Sequence, residues 1–130
     1  LSKKVAKEVE IEFVPKEGIG PKYNMSRDEL IELHRATCAA TLEVMKAKNQ
    51  DYTAGGGVFD NFKASNSLGV HPVLGILLRS QDKFMRIKSY LKHGKLAVEG
   101  EGVFDAIDDV INYLILAKGI ILEEQRRKGL

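Results

Sequence analysis

The chain has 130 residues, a length that predicts one domain with enough interior to fold without staples. Apolar residues make up 44% and charged residues 29%, an ordinary globular balance. A net charge of +2 gives no global argument for nucleic acid or an anionic membrane as partner. The single cysteine, Cys38, excludes an internal disulfide and fits a reduced, cytoplasmic setting.

In chain order, LSKKVAKEVEIEF has no continuous apolar stretch and does not read as a signal peptide. Val9, Ile11 and Phe13 alternate with Glu10 and Glu12, which predicts a short strand over 8–14 needing a partner strand. The Pro- and Gly-rich PKEGIGPKYN then reads as a loop, so residues 1–25 form an arm ahead of a helical domain at 26–130. Ser26-Arg-Asp-Glu29 has the form of a capping box, and Leu30, Leu33, Thr37, Thr41, Val44 and Met45 follow at helical spacing, predicting a helix that ends near Lys48. His34 and Cys38 lie on or beside its apolar face and are expected as packed side chains.

A loop of twenty residues is expected next, long enough to suggest a functional role. Its Lys48, Asn49 and Asn61 suit a phosphate or a base edge, and Tyr52 and Phe62 suit stacking on a base. Gly55-Gly56-Gly57 is no Walker loop, since no Lys-Ser or Lys-Thr follows, and reads as a hinge. Pro72 fits the first turn of a second helix to His93, with an apolar stripe of Leu74, Leu77, Phe84, Ile87 and Leu91, and Gly94 stops it. On that helix Arg79, Asp82, Lys83 and Arg86 share a face, and the arginines suit forked contacts with carboxylate or phosphate.

The third helix, predicted over 101–127, is apolar nearly all round. Phe104, Ile107, Ile111, Leu114, Ile115 and Leu122 define its expected core stripe, and Val103, Val110, Tyr113, Leu116, Ala117, Ile120 and Ile121 cover most of the remainder. Three helices of one chain cover such a surface poorly, which predicts a homo-oligomer, a dimer or higher. Against this background Glu101, Asp105 and Asp109 stack at i, i+4, i+8, flanked by Asp108 and Asn112. Carboxylates on adjacent turns repel, so something positive belongs opposite. Three explanations fit. The acids sit in the first turns, where they favour the helix dipole; or they hold a divalent cation such as Mg²⁺ together with substrate phosphates; or they pair with the arginines of the second helix. Nucleophile triads and zinc sites find no support in one Cys and three scattered His.

The order KNQDY, NF, DKFMR, EGVFDAIDDVINY resembles the phage and bacterial nucleotide modification associated domain one family, formerly a domain of unknown function, over about residues 26–124. Lys48, Asn49, Asp51 and Tyr52 match its loop motif; Asp82, Lys83 and Arg86 its middle motif; Glu101, Asp105, Asp109, Asn112 and Tyr113 its last helix. The resemblance implies nucleotide or DNA-base modification in phages, and so a phage-type protein of the host cytoplasm that handles a nucleotide. If it is an enzyme, the expected step is metal-assisted attack of water on a phosphoanhydride, with Asp51 the candidate to position that water. A looser likeness to MazG-type all-α nucleoside triphosphate pyrophosphohydrolases implies an oligomeric bundle binding Mg²⁺. The sequence departs from those enzymes: Arg79-Ser-Gln-Asp82 stands where they carry Glu-x-x-Glu, which weighs against hydrolysis. The expectation is an all-α bundle of three long helices with an N-terminal strand or arm. It binds a nucleotide, with turnover left open against simple sequestration, cyclic signalling nucleotides included, and against a purely structural helical module.

Overall fold

The computed structural model describes residues 23–52, 59, 68–94 and 102–129; the side chains of 49–52 lie outside that description. Three helices form, α1 (Arg27–Tyr52), α2 (Pro72–His93) and α3 (Val103–Arg127), with no strand among the described residues. The strand expected at 8–14 falls outside them.

The helix ends follow from local chemistry. Ser26 Oγ accepts the Glu29 N–H at 3.1 Å while Glu29 Oε1 accepts the Ser26 N–H at 3.0 Å, a complete capping box. Hydrogen bonding from the Ser26 N–H first, and from the Ser26 hydroxyl second, holds the Glu29 carboxyl below its ordinary range. α1 then runs four residues past its expected end at Lys48, because Asn-Gln-Asp-Tyr contains no breaker before the glycines. α2 begins at Pro72 as expected, but its cap is His71, whose Nδ1 accepts the Val73 N–H at 3.1 Å. It stops at Gly94, which takes the left-handed φ of 77° and donates to the Tyr90 carbonyl at 2.7 Å.

α2 and α3 pack antiparallel. His71 Nε2 lies 2.7 Å from Glu124 Oε2 at one end, and Lys83 Nζ lies 3.0 Å from Asp109 Oδ2 nearer the other. Between them sits the core cluster of Ile76, Ala117 and Ile120, with Phe59, Val73, Tyr113 and Leu116 against it. The buried side chains of α3 are Val103, Ala106, Val110, Ala117 and Ile120. This reverses the expected core stripe: Phe104, Ile107, Leu114, Ile115 and Leu122 are exposed. The stripe expected on α2 is corrected likewise, since Leu74, Leu77, Phe84 and Leu91 are exposed and Ile76 and Ser80 are buried instead. Small residues explain the choice. Ala106 and Ala117 on α3, and Ser80 satisfied by the Ile76 carbonyl at 3.0 Å, let the two backbones approach closely, whereas the bulkier stripe does not.

α1 packs on α3, and there Asn112 Nδ2 donates to the Thr41 carbonyl at 3.0 Å. Thr41 is buried, its own hydroxyl donating to the Thr37 carbonyl at 2.9 Å. Residues 23–36 are exposed throughout, including Leu30, Ile31 and Leu33. His34 and Cys38, expected to pack, are exposed too, with Cys38 Sγ 3.6 Å from His34 Nδ1 one turn apart.

Candidate functional site: a charged edge between α2 and α3

The expected site residues divide by position. Arg79, Lys83 and Arg86 share one flank of α2, and Asp105, Asp109 and Asn112 share one flank of α3. The helices bring one member of each flank together: Lys83 meets Asp109 with both side chains largely withdrawn from water, at 19% and 25% exposure. Asp105 and Asp109 also raise the pKa of Asp108, after partial burial, which is the larger cause. Asp105 has a second task. Its Oδ2 accepts the Gly102 N–H at 3.4 Å, so it caps the start of α3. Asn112 spends its amide N–H on Thr41 and leaves Oδ1 buried without a hydrogen-bond partner among the described residues.

The remaining candidates are not gathered there. Tyr113 packs against the Ile76–Ala117–Ile120 cluster. Lys48 is exposed near the end of α1. Asn49, Asp51 and Tyr52 belong to the last turn of α1, their side chains outside the described set, and Asn61, Phe62 and Glu101 lie outside it entirely. No group of three metal-capable Asp, Glu, His or Cys side chains forms among the described residues.

Sequence reasoning missed three structural contacts. Thr41 as the partner of Asn112 carries no local signal, because the two are 71 residues apart. The same holds for the His71–Glu124 pair. Phe59 seats against Gly119 so closely that a Cβ on that glycine would lie 2.9 Å from its ring; a glycine inside an apolar helix was the available sign.

The donor set at this edge is carboxylate and amide oxygen from α3 beside ammonium and guanidinium from α2. Oxygen donors suit a hard cation, and the opposing cations suit phosphate. The acidic strip thus has its counter-charge in part from within the chain, through Lys83. No helix among the described residues is long and apolar enough to cross a membrane. No known protein family, curated protein or solved structure matches the chain.

Proposed function

We propose that the protein binds a nucleotide by its phosphates along the charged edge of the α2/α3 pair, as a phage-type nucleotide-handling protein. The observation that carries this is the juxtaposition at Lys83 and Asp109. A basic flank meets an acidic flank there, beside a carboxyl pushed upward at Asp108 and an unpartnered amide oxygen at Asn112. Arg79, Lys83 and Arg86, with Lys48 from α1, supply the phosphate donors in this reading. The oxygen-only character of Glu101, Asp105 and Asp109 fits Mg²⁺, which when bound neutralises phosphate charge. Asn112 completes the proposed ligand contacts at this edge, with Asn49, Tyr52 and Asn61 added from the KNQDY and NF segments, and Asp51 positions water if a phosphoanhydride is hydrolysed.

The functional unit in this reading is a homo-oligomer. Among the described residues twenty large apolar side chains are exposed while six hydrophobic residues are buried, an apolar surface that association with further copies would cover.

The test is a thermal-shift and calorimetric screen of the full chain against nucleoside mono-, di-, tri- and cyclic phosphates, with and without Mg²⁺, followed by phosphate-release assays on any binder. Saturable binding that weakens at least tenfold in Lys83→Met supports the reading. A folded protein that binds none of them removes it. Intact ligand recovered from the complex, with affinity that persists in EDTA, identifies a binding protein without turnover.

A second reading has its own observation. Asp109 is already paired with Lys83 and Asp105 already caps α3, which is how a purely structural helical module would use its acids. Asp105→Asn and Asp109→Asn together separate the two: loss of folding with no ligand effect favours the structural module, and a folded protein that has lost nucleotide binding excludes it.

A further inference from the structure

The α2/α3 pair has a second edge, opposite the charged one. From the face each helix presents to the other, a turn of about 100° leads to an apolar seam on both. On α3 the seam is Phe104, Ile107, Ile111, Leu114 and Ile121, with Lys118 between the last two; the steps alternate three and four. On α2 it is Leu74, Leu77, Phe84 and Leu91, with Gln81 and Lys88 completing the same alternation. The helices are antiparallel, so equal turns in the same sense emerge on one side of the pair. Lys83 and Asp109 lie on the other side. Phe84 is 47% exposed and Leu114 51%.

Alternating steps of three and four are the spacing of helices that pack side by side with knobs in holes. A lone amphipathic helix facing its own core has no need of two such seams. Each seam runs about 26 Å at 1.5 Å per residue, and two helices side by side make a face about 20 Å wide. That is about 500 Å² before corrugation, the order of the roughly 800 Å² per partner in a standard interface. The occupant that matches is another antiparallel helix pair with paired seams of equal length. Within this chain α1 is a single helix, and it meets α3 through Asn112, on neither the α2 face nor the seam. A second copy of the α2/α3 pair meets the requirement by construction.

We infer that two chains associate through these seams, α2 and α3 of each forming a four-helix bundle about a two-fold axis. The inference rests on the homo-oligomer proposed above and adds a consequence: the charged edges point outward on opposite sides of the dimer. The candidate sites are then separate, one per chain, and not shared across the interface. The seam cations sit toward its ends, Lys118 near the level of Ile76 and Lys88 near that of Ala106. The centre holds Phe84, Ile111 and Leu114 with Gln81 as its one polar side chain, and the lysine stems reach outward to water.

The experiment is sedimentation equilibrium on the full chain, with nucleotide binding measured in parallel. The expected mass is that of two chains, shifting at least tenfold toward monomer in Phe84→Glu or Leu114→Glu. Lys118→Leu, which removes a charge from the seam without touching the core, is expected to tighten the dimer at least tenfold, and Leu33→Glu on α1 to leave it unchanged. A monomer at all concentrations overturns the inference. So does a dimer that dissociates with Leu33→Glu and ignores the seam variants, or one that appears only when residues 1–22 are removed. A seam-dependent dimer that binds no nucleotide leaves this inference standing and removes the nucleotide reading; a monomer that binds nucleotide does the reverse.

Discussion

Asn112 on α3 donates its side-chain amide to the main-chain carbonyl of Thr41 on α1, at 3.0 Å, a bond between residues 71 positions apart. It ties α1 to a pair of helices that otherwise hold together without it. Replacing Asn112 by Ala removes this bond and a buried unpartnered oxygen together. The expected net loss is about 1 kcal/mol, since a typical hydrogen bond contributes about that much and the orphaned oxygen offsets part of it. Hydrogen exchange should rise in α1 more than in α2 or α3. Equal protection changes in all three helices would show that Asn112 does not hold α1 in particular.

His71 makes two bonds with two nitrogens. Nδ1 accepts the Val73 N–H, so it carries no proton, and Nε2–H donates to Glu124. His71→Asn keeps a cap acceptor and gives up Glu124; His71→Ala gives up both. The half-exposed pair is expected to contribute under about 1 kcal/mol and the cap about 1 kcal/mol. Denaturant midpoints should therefore fall in the order wild type, Asn, Ala. An Ala variant as stable as the Asn variant would show that the cap contributes nothing.

Asp108 has its carboxyl pushed up, by partial burial first and by Asp105 and Asp109 after it. A carboxyl that holds its proton more tightly folded than unfolded costs stability once ionised in both states. That cost is relieved as pH falls from its raised value toward the ordinary carboxylate range, where the folded state binds the extra proton. Asp108→Asn should raise stability at pH 7 by about 0.5 kcal/mol, the order of two like-charge pairs on a helix. It should also flatten the pH profile between those limits, as followed by thermal unfolding at several pH values. Lower stability of the Asn variant at pH 7 would mean that the ionised carboxylate has a partner, a bound cation among the options.

Gly119 stands inside α3, where an alanine would ordinarily gain about 1 kcal/mol. Here the added Cβ would approach the Phe59 ring to 2.9 Å. Gly119→Ala should therefore lower stability by about 1 kcal/mol in the natural chain and raise it in a Phe59→Ala background. The sign change in this double-mutant cycle is the readout. A stabilising alanine in both backgrounds would show that the ring moves aside freely.

Local chemistry set the elements. Three helices, the Ser26–Glu29 capping box, Pro72 at the start of α2 and Gly94 at its end were all legible, because caps and breakers act within a few residues of where they stand. It also brought out the basic flank around Lys83 and the acidic strip around Asp109, since i, i+4 spacing fixes which side chains share a helix face. Which apolar face turned inward depended on how the helices pack against each other. α3 is greasy on two sides, and a helical wheel favours the bulkier stripe of Phe104, Ile107 and Leu114. Close antiparallel packing favours the narrower one of Ala106, Val110 and Ala117, which lets α2 come near. Size complementarity between helices is a property of the pair, so neither helix read by itself contains it. The same reason hid Thr41 from Asn112 and Glu124 from His71.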